Sequence, residues 1–134
     1  MTPEQLAISG SESAHQTALF CWAALARPRY PELEWLHAIP NGGSRGSNQR
    51  DAMRVGAKMK AEGVKKGVSD ICLPVKRGPW SGLYIEMKKR GSGKVSEEQS
   101  AFGAFVQVQG FGFVVCYTWI EARDAIEAYL NWRQ

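Results

Sequence analysis

Two short stretches decide the fold: Gly67-Val68-Ser69-Asp70-Ile71-Cys72-Leu73 and Leu83-Tyr84-Ile85-Glu86-Met87-Lys88. They read as two short strands, and the six residues from Lys76 to Ser81, with Gly78-Pro79 at their centre, make the turn between them. Each also carries charge that a buried strand avoids. Asp70 stands at the mouth of the first. Glu86 and Lys88 stand two apart on the second, on the face opposite Ile85 and Met87. Paired strands lie roughly 4.8 Å apart, so two carboxylates and an ammonium can converge on one point. Oxygen donors beside a lysine are the makings of a hard-cation site with a catalytic lysine.

Outward from this pair, the chain reads as alternating helices and strands. Ser9 and Glu12 make an S-x-x-E capping box for a helix over about 11–26, with Leu19, Phe20, Trp22, Ala23 and Leu25 as its apolar face. Pro28 and Pro31 end it. Glu32–Leu36 suggests a helical turn, and His37-Ala38-Ile39 a brief strand closed by Pro40. Asn41–Ser47 is glycine-rich, without an apolar side chain. A helix is expected over 49–62, closed by Gly63. The two opening strands are expected over 69–75 and 82–88. Ser96-Glu97-Glu98-Gln99 caps a helix to about Gln109, Phe111–Tyr117 is an apolar strand, and Thr118–Glu121 starts a final helix to about Trp132. The order α-β-α-β-β-α-β-α, a hairpin followed by a helical crossover, implies an α/β fold: a mixed sheet flanked by helices. Trp22, Trp35, Phe102, Phe105 and Phe111 are expected in the core. Trp80, at a loop tip, suits either base stacking or a subunit interface.

Composition narrows the class. The 134 residues suit one domain, with 1–10 expected as a flexible N-terminal segment. Met1–Gly10 lacks the basic start and apolar block of a signal peptide, and no apolar run reaches membrane-span length, so an intracellular protein is expected. Three scattered cysteines and two histidines without ligand spacing argue against zinc or a disulfide framework. His15 and His37 suit structural or surface roles. The net charge of +4 conceals an asymmetry: residues 45–94 carry thirteen Lys/Arg against four acids, +9, leaving −5 elsewhere. Such a run is either a solvated face or a polyanion footprint.

Asp70, then Glu86-Met87-Lys88 fifteen residues on, resembles the D…E-x-K signature of the PD-(D/E)xK nucleases. Ser11-Glu12 with Gln16, Ile39–Gly43, Ala61–Gly67, Leu83–Lys88 and Val95–Gln99 together resemble the VRR-NUC (virus-type replication-repair nuclease) family across nearly the whole chain. Ser69 departs from it, standing where the family usually has proline.

The resemblance implies a restriction-endonuclease-like core and a metal-dependent endodeoxyribonuclease. It implies Asp70, Glu86, Glu12 and the Met87 backbone carbonyl as ligands of Mg²⁺ (with Mn²⁺ also supporting activity). Lys88 would orient the attacking water, and Gln99 would face the site. Small stand-alone members resemble Holliday-junction resolvases, implying a homodimer acting on branched DNA and a viral, prophage or bacterial setting. Arg45, Arg50, Lys65, Lys66, Lys89, Arg90 and Lys94 are the candidate phosphate contacts. Alternatives stay open on the residues alone. Asp70 suits a turn, Glu86 and Lys88 an exposed edge strand, and Glu12 a helix cap. The alternatives are a monomeric flap or nicking nuclease, or a non-catalytic nucleic-acid-binding module.

Overall fold

The computed structural model describes residues 1–40, 49–91 and 94–133. Its elements in chain order are α1 (Pro3–Leu6), α2 (Glu12–Ala26), a 3-10 turn (Pro31–Trp35), β1 (His37–Ala38), α3 (Gln49–Ala61), β2 (Ile71–Leu73), β3 (Leu83–Met87), α4 (Glu97–Val108), β4 (Gly112–Cys116) and α5 (Trp119–Leu130). From α2 onward this is the expected order.

The four strands form one mixed sheet in the order β1-β2-β3-β4. The β1/β2 and β2/β3 pairs are antiparallel, and β3/β4 is parallel, with α4 as the crossover. Alternation along β3 divides the two faces. Leu83, Ile85 and Met87 are buried in a core that includes Ala18 and Leu19 of α2 and Ala122 and Ile126 of α5. Tyr84 points to the opposite face, where its ring meets Phe102 of α4 edge-on at 5.1 Å. Gly103 lets α4 approach the sheet closely: a Cβ there would lie 2.5 Å from the Phe113 ring. Glu86, two residues beyond Tyr84, shares this α4 face.

Local signals set most helix boundaries. Ser96 caps α4 in a reciprocal box with Gln99, and Thr118 caps α5 by accepting from the Glu121 N–H. Gly63, at φ +99°, follows α3 as expected.

Several expectations are corrected. The cap of α2 is Ser11, whose Oγ accepts from the Ala14 N–H at 3.0 Å, and not Ser9. Glu12 is therefore the first helical residue, freed from the capping box. Residues 1–10, expected to be flexible, contain α1, capped reciprocally by Thr2 and Gln5. Pro3 is buried, and Leu6 and Ala7 pack on the core. The paired segments are shorter than the apolar runs, so Ser69 and Asp70 precede β2 and Lys88 follows β3. Trp35 and Phe105 are 67% and 63% exposed, because both project from the outer sides of their helical turns. Trp80 packs against the core beside the β2–β3 turn, and its backbone pairs with Arg77. That turn joins the ends of β2 and β3 far from Asp70 and Glu86. Trp80 therefore stands at the opposite end of the sheet from the acids.

Candidate active site

The antiparallel register makes Ile71 the partner of Ile85. One residue further, the same register sets Asp70 opposite Glu86, where facing side chains have Cβ atoms about 4.5–5.5 Å apart. The pairing is reinforced by a hydrogen bond from the Met87 N–H to Asp70 Oδ2 at 2.8 Å. Asp70 is thereby tied to β3 and is more than a turn residue. Strand β3 lies inside the sheet, between β2 and β4. That removes the edge-strand reading of Glu86 and Lys88.

Glu86 is 1% exposed, and its Oε1 is buried without a hydrogen-bond partner. Burial pushes its carboxyl up from 4.5 to about 9; the Asp70 hydrogen bond and charge push the same way, Lys88 opposes, and Glu12 adds a smaller upward effect. The neutral-pH protein without an ion therefore keeps a proton on Glu86, shared toward Asp70. A buried carboxyl with an orphan oxygen opposite a second carboxylate is an expensive arrangement to leave without a cation.

These residues open onto a cleft of about 680 Å³, whose lining includes Glu12, Asp70, Glu86, Lys88 and Gln99. Gln99 has two functions. Its Oε1 accepts from the Ser96 N–H at 2.8 Å, completing the α4 cap, which leaves Nε2 as its donor for the cleft. Gly67 sets how closely α4 approaches: at φ +96°, a Cβ would lie 2.6 Å from the Glu98 backbone oxygen. A second hollow of about 250 Å³ lies on the other side of Asp70, lined by Glu12, Ser13, Gln16, Thr17, Asp70 and Met87. Gln16 belongs to this smaller hollow and does not line the main cleft.

Glu12 reaches the site from α2. Its Oε1 accepts from the Lys89 N–H at 3.0 Å, seventy-seven positions away in sequence. It holds the backbone just after Lys88. His15, one turn on, accepts from the Trp119 N–H through Nδ1 at 3.0 Å and so serves the start of α5.

The basic candidates divide. Lys65 and Lys66 line the cleft, with Lys66 3.6 Å from Glu98. Lys89 is exposed beside it. Arg90 turns away, pairing with Glu121 and lying 5.5 Å over the Tyr117 ring. Arg50 and Lys94 are exposed and do not line the cleft, and Arg45 lies outside the described residues. Lys60, which the sequence reading did not single out, does line it, with Gly56 and Met59 of α3. Their i, i+3, i+4 spacing was a visible signal that one α3 face turns inward.

The donor set suits a hard ion. Asp70 and Glu86 offer only oxygen, and the orphan Glu86 Oε1 lacks the partner a cation would be. Among the described residues, no three acidic, histidine or cysteine side chains form a metal-holding group by themselves. The fit is thus to an ion such as Mg²⁺ that keeps several of its waters and takes one or two carboxylates.

The chain matches the model of the VRR-NUC domain over residues 11–119. It is similar to a solved structure described as a VRR_NUC domain protein, with a TM-score of 0.70 at 25% identity, covering 89% of this chain and 87% of the other. No functionally curated protein matches it. With the matched region running from the cap of α2 to the first residue of α5, and the mixed sheet shared with a solved neighbour, the chain belongs to the VRR-NUC family and has its nuclease-type fold.

Proposed function

We propose that the protein is a divalent-metal-dependent endonuclease that hydrolyses phosphodiester bonds in DNA, with branched structures such as Holliday junctions as its substrates. The observation that carries this is the opposition of Asp70 and Glu86 at the head of a lysine-rimmed cleft, with Glu86 buried and lacking a partner for one oxygen. A binding module gains nothing from two acids facing a phosphate; a hydrolase uses them to hold a cation.

Asp70, Glu86 and the Met87 carbonyl would hold Mg²⁺ or Mn²⁺, and Glu12 closes the same side. The ion supplies activation of water and neutralisation of phosphate charge. Lys88 orients the incoming water and offsets the negative charge that grows on the phosphate oxygens. Glu12 positions Lys88 by anchoring the Lys89 backbone. Gln99 donates through Nε2 to water or phosphate. Water gives up a proton to solvent as its oxygen bonds to phosphorus, the P–O bond to the leaving nucleotide breaks, and the departing oxygen takes up a proton from solvent.

Branched DNA is favoured over sequence recognition because Lys60, Lys65, Lys66 and Lys88 line the cleft itself and, among the described residues, no separate reading element stands beside it. A homodimer would set two such sites on the paired strands of a junction. The rival reading is a non-catalytic binder of the same fold.

A labelled four-way junction, a flap and a linear duplex, each incubated with Mg²⁺, Mn²⁺ or EDTA, separate these. Metal-dependent cleavage that disappears in Lys88→Ala, with binding retained, supports the enzyme. Junction binding without cleavage of any substrate under either metal leaves the binder. A monomer by light scattering, with and without junction, leaves a flap or nicking nuclease. Cleavage of a matched RNA and not DNA would move the substrate class.

A further inference from the structure

Helix α3 is unlike the other long helices. No residue of it is buried, although it runs for thirteen residues from Gln49 to Ala61. A helix of this length is marginal in water, and most helical stability in proteins comes from packing one face. Its partly buried residues Ala52, Val55, Gly56 and Met59 lie on one face, toward the cleft, and leave the opposite face to an outside partner.

Its charge says what that partner is, and its geometry says how many. Gly56, Met59 and Lys60 form the side that lines the catalytic cleft. Arg50, Arg54 and Lys58 are exposed and spaced four apart, which places them in one stripe. Arg54 lies two residues from Gly56, about 200° around the helix, so the stripe is on the side facing away from the cleft. It spans about 12 Å, the axial rise of three or four phosphates of one strand. The Arg54 side chain is 80% exposed, and its contact to Asp51 at 2.9 Å is a surface pair that a phosphate can replace.

A helix with a lysine at its cleft-lining edge and three exposed basic residues on its far side is placed to stand between two polyanions. We propose that α3 is a divider: its inner side, through Lys60, follows the strand lying in the cleft, and its outer Arg50–Arg54–Lys58 stripe holds a second phosphate backbone. The diverging arms of a fork or junction supply two backbones on opposite sides of a helix that borders a cleft; a linear duplex supplies them only to a helix lying in its major groove, which would make junction and duplex depend on the stripe alike. This rests on the nuclease reading for what lies in the cleft. It adds the physical source of branch selectivity.

Anisotropy in EDTA, with a labelled four-way junction and a linear duplex of equal length, tests it without catalysis. A variant carrying Arg50→Gln, Arg54→Gln and Lys58→Gln is expected to weaken junction binding at least tenfold at moderate salt. It should lower the junction's log K against log salt slope by about 2 to 3, with duplex binding changed less than twofold. Lys60→Gln should weaken both substrates alike. Arg50→Lys with Arg54→Lys, which keeps the charge, should bind as the parent does.

Should the triple variant unfold, Arg50→Gln and Lys58→Gln singly carry the test, each removing about one unit of slope from the junction alone. Junction affinity unchanged in the stripe variants, or junction and duplex weakened equally, overturns the divider. The two proposals fail separately. A protein whose stripe variants lose only the junction, yet which never cuts with Mn²⁺, is a divider without catalysis. One that cuts normally while its stripe variants treat both substrates alike is a nuclease without a divider.

Discussion

Replacing Glu86 by Gln is expected to stabilise the metal-free protein while abolishing its activity. The folded-state carboxyl titrates at about 9 against an ordinary 4.5. The folded form therefore binds a proton that the unfolded chain has released at neutral pH. The sign follows: the stability contributed by this group is complete below pH 4.5 and is lost as pH rises through the window to about 9. Each pH unit within that window removes about 1.4 kcal/mol. At pH 7, some 2.5 units into it, the penalty is about 3 kcal/mol. Gln copies the shape of the protonated acid, can donate to Asp70 through Nε2 and never ionises. Glu86→Gln should thus melt about 10 °C above the parent at pH 7 in EDTA, with the gap closing toward pH 5 and widening toward pH 8. Excess Mg²⁺ or Mn²⁺ should reverse the order. A ligand at a thousand times its Kd adds about 4 kcal/mol to the parent, more than the penalty of about 3 kcal/mol, and the variant lacks a ligand oxygen. Thermal melts at pH 5, 6, 7 and 8, with and without metal, read all of this. A variant less stable than the parent in EDTA at pH 7, or a gap that stays constant with pH, refutes the reasoning that Glu86 is buried, protonated and waiting for a cation.

Four further outcomes are expected. Lys88→Ala should lower kcat by about 10² to 10³ in single-turnover cleavage, while leaving junction affinity in EDTA within a few-fold; equal losses in both would make Lys88 a binding residue only. Gly67→Ala should destabilise by more than about 1 kcal/mol, because the residue combines φ +96° with backbone 2.6 Å from the new Cβ, and urea titration measures it. Ser69→Ala should raise stability by about 1 kcal/mol, since the Ser69 Oγ is fully buried without a partner; a loss in the same titration would show that the hydroxyl is satisfied. Ser96→Ala should cost about 1 kcal/mol through the lost α4 cap and should also reduce cleavage, because the same box orients Gln99.

Much of this protein is written locally. The alternation of Leu83, Ile85 and Met87 with Tyr84 and Glu86 defines a strand and its two faces, because a pleated backbone sends neighbours to opposite sides. Ser96 with Gln99, and Thr118, announce helix starts, because a cap bonds only to the next few amides. These signals give the element order, and with the D…E-x-K spacing they bring out Asp70, Glu86 and Lys88 together. The basic bias of residues 45–94 is equally plain in the sequence.

What the tertiary structure alone decided is where those elements sit. That β3 is an inner strand depends on β4 pairing with it in parallel after the α4 crossover; the same Glu86 on an edge would be solvated and ordinary. Burial, and with it the raised titration and the orphan oxygen, is a property of the assembled sheet and α4. Glu12, which on its own spacing suits a cap as well as a ligand, meets Lys89 only because the fold brings it from seventy-seven positions away. Lys60 looked like one lysine among many until α3 was set across the cleft. Periodicity and capping act over one or two turns of chain, so the sequence shows which side chains are unusual. Register, crossover and packing act between distant segments, and they alone determine which of those side chains meet.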